Sequence, residues 1–534
     1  MGLFISVWIT DYLGRIILSL EIYMTTVHVM ALHTVTSGDS FQNFIWRIQI
    51  NRIWLFAALA SSLILFFIFK LFNPYPNMVM DSYVYIRAMA FDLGANSFPI
   101  GYSRFLQLFS LFSRSTTLLV WLQFLMLEGA CLFLFFTLLF FFRPGKWAAG
   151  SIFVFLFFNP LFFYISNFIM ADALFSTLSL LWLTQLIWII ARPKPYMILV
   201  HALLLVVVFT VRYNALYYPI AASFAILFSH LRPWLKATAI ALQFVLIGVF
   251  VLYTSTQMQK VMGVRQFSPF GGWKLASNAL YMYGHVCQER KDPIPPQFAQ
   301  LDNMVRGYFQ QVQQVDDLLD YESFSTGTFY GAYPGSPLIL YMDLKYGVDT
   351  VFQNFSKWGP MGAYCGEYGS YLLRKYPLQF ARYFVCPNII RYVLPPREIF
   401  THVTPYYLRT DELGQVASKW FGLTTLTIPA SRINFRTTII SPYPIFIALI
   451  HLAFILGFIG FILFGGFKKV TKTHSRIILA IGALWLCDFG FSVTASAIVL
   501  RYQIFMMIVE FTFAILFMDF IYHNSDKKPH LSPQ

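Results

Sequence analysis

Residues 73–113 read NPYPNMVMDSYVYIRAMAFDLGANSFPIGYSRFLQLFSLFS. This polar, Pro-rich stretch follows a long apolar run from Ile53 to Phe72 whose one charged residue is Lys70, long enough to cross a hydrocarbon layer of about 30 Å. Arg47 and Arg52 flank the start of the run, and basic residues stay on the inner side of a membrane. The stretch is therefore the first outer loop. Within it Asp81 follows a turn at Pro74 and Pro76, precedes an aromatic helical pattern (Tyr83, Tyr85, Ile86, Met89), and leads to a second turn at Pro99, Gly101 and Tyr102. The loop thus holds an acid at the membrane surface.

Composition agrees with a membrane-embedded chain. Of 534 residues 58% are hydrophobic and only 12% charged, and the mean hydropathy is +0.62. A soluble core of this size could not bury so much apolar surface. The net charge of +14 follows from retention of Lys and Arg at the inner face, so nucleic acid is not expected as a partner. Five Cys, widely scattered, form neither a disulfide framework nor a metal cluster. The N-terminus lacks the basic, apolar and small-residue order of a cleavable signal.

Nine further spans are expected at about 116–142, 148–170, 174–191, 196–211, 215–229, 237–255, 442–467, 477–500 and 502–522. Every second junction should then be basic, and Arg143 with Lys146, Arg192 with Lys194, Arg232 with Lys236, Lys468 to Arg476, and Lys527 with Lys528 all comply. The expected fold class is an all-α polytopic membrane protein of about ten spans with both ends inside. Its divisions are an interfacial segment 1–52, a transmembrane module 53–256 with the outer loop 73–115, a mostly helical outer domain 257–440, terminal spans 441–523 and a tail 524–534. The two spans around Arg212 are short, which recesses Val211-Arg212-Tyr213-Asn214 toward a cavity.

Ionisable groups near membrane depth are costly, so each is a functional candidate. Asp81, Asp172, Arg212 and Arg501 all fall at outer-face ends of spans. Two acids and two guanidiniums at one face suit transfer of a group from a lipid phosphate to a hydroxyl. The hydroxyl needs a positioned base, which a carboxylate supplies. The leaving phosphate needs its charge matched, which Arg does with a planar fork. Lys274, Tyr102 and Arg104 are further candidates for substrate or phosphate contacts.

Asp81-Ser82 with Tyr85 one turn on, Pro99-Ile100-Gly101-Tyr102, the Asn159-Pro160 break before Asp172, and Val211-Arg212-Tyr213-Asn214 together resemble the GT-C glycosyltransferases. The branch most similar uses polyprenyl-phosphate sugars and includes protein O-mannosyltransferases and the aminoarabinose transferase of lipid A. The resemblance covers about residues 50 to 230 and, more weakly, Arg501-Tyr502. It implies a GT-C-type bundle, a catalytic acid at Asp81 and a second acid at Asp172. It also implies a polyprenyl-phosphate-linked sugar donor, a glycolipid, glycan or protein acceptor, and inversion at the sugar carbon; the C-terminal Leu531-Ser532-Pro533-Gln534 carries no retention signal, so a bacterial inner membrane with the site facing the periplasm is expected. Many members carry Asp-Glu where this chain has Asp81-Ser82; no cofactor is expected to be required, and a divalent metal is left open.

Plainer roles stand beside these. Asp81 and Asp172 could cap the helices they precede, and the arginines could snorkel to headgroups. Arg87 and Arg104 suit solvated faces, and Lys274 suits a structural turn. His201 reads as a packing residue, and His285 with Cys287 lacks further metal ligands. Cys287, Cys365 and Cys386 allow one disulfide with three choices of pair. The segment around Leu372 to Lys375 and Arg382-Tyr383 is amphipathic and basic, fitting a membrane surface or an ordinary domain face. An O-antigen polymerase or ligase would instead depend on Arg409 or His402, and a transporter would show two related halves.

Overall fold

The computed structural model describes residues 40–289, 293–312, 329–332, 335–347, 355–396, 406–407, 412–422, 427–428, 440–495 and 498–525. Among them the regular structure is helical apart from one short antiparallel ladder that pairs Tyr406 with Ile428 and Tyr407 with Thr427 and one isolated parallel bridge between Asn77 and Phe168. Eight helices are long and apolar enough to cross a membrane: Gln49–Phe72, Thr116–Phe142, Lys146–Ser166, Ala171–Ala191, Pro233–Met262, Tyr443–Leu463, Lys472–Thr494 and Ile504–Ser525. Two shorter apolar helices, Tyr196–Val211 and Tyr213–Phe228, lie between the fourth and fifth. The chain is a multi-pass helical membrane protein.

Burial ranks these helices from lipid to centre. Of the most apolar window, only 22% of Gln49–Phe72 and 11% of Pro233–Met262 is covered by protein, against 83% of Ala171–Ala191. A helix that is hydrophobic all round belongs either in lipid or in a core. The first two expose Phe56, Ile64, Phe67, Val245, Val249 and Leu252 to the acyl chains, while Trp182, Leu180 and Leu183 on the third are buried. Ala171–Ala191 is the axle of the bundle, packing against Thr116–Phe142, Tyr196–Val211, Tyr218–Phe228, Lys472–Thr494 and Ile504–Ser525.

The third span breaks at Phe158, and Asn159 restarts it by accepting the Leu161 N–H, with Pro160 in the first turn. Pro is tolerated there because its missing N–H would be unpaired anyway. The basic junctions gather at one face. The His474 ring meets the Phe141 carbonyl at 2.8 Å, Asp519 accepts the Gly145 N–H at 3.0 Å, and Arg476 meets the His230 ring at 2.9 Å. Helix Phe41–Arg47 caps this face, with Phe41 edge-on to Trp188 at 5.1 Å.

At the opposite face, residues 269–376 form a second core around Trp273, Leu280, Tyr283, Leu301, Tyr368 and Leu372. Its main helices, Pro269–Tyr283 and Phe355–Lys375, approach so closely that a Cβ on Gly272 would lie 1.8 Å from the Gly362 oxygen. Five cysteines are free, Cys287 and Cys365 buried in this core and Cys386 exposed. Burial pushes the Cys287 thiol up to about 11, which leaves it inert. The disulfide that the spacing allowed is not formed. Expectations for residues 1–39 and 526–534 lie outside the described residues, as do His402 and Arg409.

Candidate functional site

Two loops that are 90 residues apart are stapled together at the face opposite the basic junctions. Asn77 donates its N–H to the Asn167 carbonyl at 2.8 Å and accepts from Ile169 N–H at 3.2 Å, a one-rung parallel bridge. The Asn167 side chain donates to the Tyr75 carbonyl at 3.0 Å and accepts from Lys70 Nζ at 3.1 Å. Below the bridge Gln123 donates to the Ser166 and Phe168 carbonyls at 2.9 and 3.0 Å, and its own oxygen accepts the Tyr102 hydroxyl at 2.7 Å. Buried polar groups need such partners. The first loop is thereby tied to the turn that begins the central helix.

Helix Met80–Ala90 starts at Val79, whose N–H donates to Ser82 Oγ at 3.1 Å, and helix Ala171–Ala191 starts at Met170. Asp81 and Asp172 therefore each sit one residue inside a first turn, not at the cap. Negative charge is favourable there, and neither carboxylate serves as the N-cap.

Arg212 and Arg501 complete the group. Arg212 ends helix Tyr196–Val211 in extended backbone, and Arg501 lies in the tight turn Leu500–Tyr502 before the last span. Asp172, only 3% exposed, is hydrogen-bonded directly by Arg212 Nη1, and its other oxygen lies 3.4 Å from Arg501 Nη1. The same Arg501 nitrogen is 3.4 Å from Asp81, whose side chain is 30% exposed. Tyr502 lies beneath both guanidiniums, with ring distances of 4.1 Å to Arg212 and 4.8 Å to Arg501. The formal charges of the four groups cancel, as burial requires. One carboxylate is locked between two arginines and the other faces outward.

The other expected residues are placed differently. Tyr102 is fully buried, its hydroxyl committed to Gln123, and its ring edge-on to Tyr85 at 5.0 Å. Tyr85, buried beside the four charges, has its phenol pushed up by burial. Arg104 is not joined to the four. It pairs with Asp92, reaches Gln107 at 2.7 Å, and holds the Asp92 carboxyl below its usual range. Lys274 lies on helix Pro269–Tyr283 of the second core, where burial lowers its ammonium to about 7. The start of that helix meets the loop through Phe270 against Phe98 at 6.2 Å, and helix Glu412–Phe421 packs on Met80–Ala90.

Sequence reading missed the polar groups inside the spans. Asp488 accepts hydrogen bonds from Tyr217 and Tyr392 at 2.7 and 2.8 Å. Glu510 accepts from Trp485 Nε1 at 2.7 Å and lies 2.5 Å from His451. Glu128 accepts from Ser62 at 2.9 Å. Each is an acid inside an apolar run, the signal that marks intramembrane function or pairing, but attention to span ends passes over them. A cavity of about 20 Å³, with room for one water, lies between Asp488 and Tyr502. No group of His, Cys, Asp and Glu able to hold a metal is found among the described residues.

No family model, curated protein or solved structure matches this sequence.

Proposed function

We propose that the chain is a membrane glycosyltransferase that moves a sugar from a polyprenyl-phosphate donor to a hydroxyl acceptor at the outer face of the membrane. The observation that carries this reading is the convergence of Asp81, Asp172, Arg212 and Arg501, drawn from loops 420 residues apart, within one chain of contacts.

In this mechanism the acceptor oxygen attacks the anomeric carbon from the side opposite the phosphate. A new C–O bond forms as the bond from carbon to phosphate oxygen breaks, and configuration inverts. The acceptor proton passes to Asp81, the more exposed carboxylate, and the bonding pair leaves with the lipid phosphate. Arg501 and Arg212 offset the charge that develops there, since aligned guanidiniums act strongly in a site shielded from water. Asp172 touches neither reactant. It holds both arginines in register, with Tyr502 supporting their planes.

General-base catalysis contributes about 10²- to 10⁴-fold. Asp81→Asn, which keeps the shape, is expected to lower transfer from lipid-linked sugar in membranes by at least about 100-fold. Turnover close to wild type would end the assignment.

A further inference from the structure

Residues 377–393 form one helical rod, from Pro377–Phe380 through a π-helical turn at Ala381–Val385 to Cys386–Val393. We propose that the last part, Cys386–Val393, is inserted in the hydrocarbon of the leaflet that borders the four-charge group, with its outward face against acyl chains. The proposal does not rest on the glycosyltransferase reading.

Register sets the depth. Asn388 Nδ2 donates to the Val493 carbonyl at 3.3 Å, beside the end of span Lys472–Thr494. One turn further on, the Tyr392 hydroxyl donates to Asp488 at 2.8 Å and its ring meets Phe489 at 5.2 Å. The short helix therefore runs antiparallel to the span and descends along its last turns. A span of 23 residues is about 34 Å long, close to the hydrocarbon thickness of about 30 Å, so its end marks the boundary. Asp488 lies nearly two turns, about 9 Å, inside that end. On its other side the Tyr392 ring packs at 4.9 Å on His451, which is about two turns inside the start of Tyr443–Leu463. Two spans thus give the same depth.

Side chains fit this placement. Phe384, Asn388 and Tyr392, spaced by four, are buried against the protein, while Ile389, Val393 and above all Ile390, 69% exposed, face outward beside the exposed Ile445 and Leu449 of the neighbouring span. Arg382 and Tyr383, in contact at 5.2 Å, stand higher up the rod, at the level where basic and aromatic residues suit headgroups. Arg391 is the one charged residue in the inserted part. Its Nη1 reaches back up the helix to Asn388 Oδ1 at 3.2 Å, the course of a side chain that snorkels. The deep end is also free of stranded donors. Gln503 donates to the Tyr392 carbonyl, the Leu394 N–H closes on the Ile390 carbonyl at 2.9 Å, and Pro395 and Pro396 have no N–H. A helix that ends away from water needs this economy.

The test attaches a nitroxide to single cysteines in full-length protein carrying Cys386→Ser and Cys487→Ser, reconstituted in phosphatidylcholine vesicles. Collisions with oxygen, which dissolves in hydrocarbon, are compared with those of a water-soluble nickel chelate. Leu449→Cys gives the lipid reference and Asn303→Cys, on an exposed position of Ala299–Val312, the water reference. Ile390→Cys is expected to favour oxygen as Leu449→Cys does, and Val393→Cys, one turn deeper, at least as strongly. On right-side-out vesicles a charged maleimide should modify the native Cys386, two residues above Asn388, at least about tenfold faster than Ile390→Cys, because the reactive thiolate forms in water. Chelate collisions at Ile390→Cys and Val393→Cys equal to those at Asn303→Cys would put the helix in water. Low collisions with both reagents would put it against protein, and either result overturns the proposal.

Discussion

Asp172 fixes the geometry of the four-charge group because both arginines meet it at a position only 3% exposed. Removing one partner of a buried charge pair strands the other, at a cost of about 3–5 kcal/mol. Asp172→Asn is therefore expected to lose both thermal stability and transfer activity, whereas Asp81→Asn should lose activity with a melting temperature close to wild type. A differential scan of the two purified variants separates the roles, and equal melting temperatures would contradict the assignment of Asp172 as the anchor. Lys274 gives a second prediction at this scale. Its ammonium is lowered by burial to about 7 from an ordinary 10.5, so between those values the unfolded chain binds a proton that the folded chain does not. Stability from this group accordingly rises with pH from about 7 toward 10. Lys274→Met should flatten that part of the profile, which melting temperatures at pH 7 and 9.5 would reveal as a smaller gain than in the wild type.

Elements reach the site through close approaches that tolerate little change. Gly101 begins helix Gly101–Ser110, and a Cβ there would lie 2.6 Å from the backbone and hydroxyl of Thr210. Overpacking of this kind costs about 1–3 kcal/mol. Gly101→Ala should push the loop helix off Tyr196–Val211, lowering the melting temperature, and should reduce transfer because Arg212 ends that helix. Much of this arrangement is legible in sequence. The bounds expected for the spans at 116–142 and 196–211 coincide with the observed helices, since continuous apolar runs end sharply at Arg143 and Arg212. The break at Asn159-Pro160 and the placing of Asp81 and Asp172 at helix starts are equally plain, because Pro and the change of polarity mark them. The clasp through Asn77, Gln123 and Asn167 is not legible. It depends on backbone groups meeting across 90 residues, for which side-chain pattern carries no signal. Arg104 illustrates the same limit: its partner Asp92 stands 12 residues away on an irregular turn where no helical spacing announces the pair.

Across the whole molecule, charge is sorted by face: junction arginines and lysines lie at one end of the bundle and the four-charge group at the other. Polar pairs inside the bundle tie the two halves of the sequence together, as when Tyr217 and Tyr392 converge on Asp488. Gln503 adds to this by donating to the Tyr392 carbonyl at 2.8 Å, so the turn that carries Arg501 is held by the same cluster that joins helix Cys386–Val393 to the last spans. Orientation is decisive for the proposed function, because a lipid-linked sugar would meet Asp81 only from the leaflet that this face borders. The exposed Cys386 reports on that directly, whereas Cys131, Cys287 and Cys365 are buried. With basic junctions inside, a membrane-impermeant maleimide added to intact cells or right-side-out vesicles should label Cys386, and Cys386→Ser should abolish most of the signal without changing the fold. Labelling that requires permeabilisation would place the four-charge group on the inner side. The donor would then have to present its phosphate from the inner leaflet.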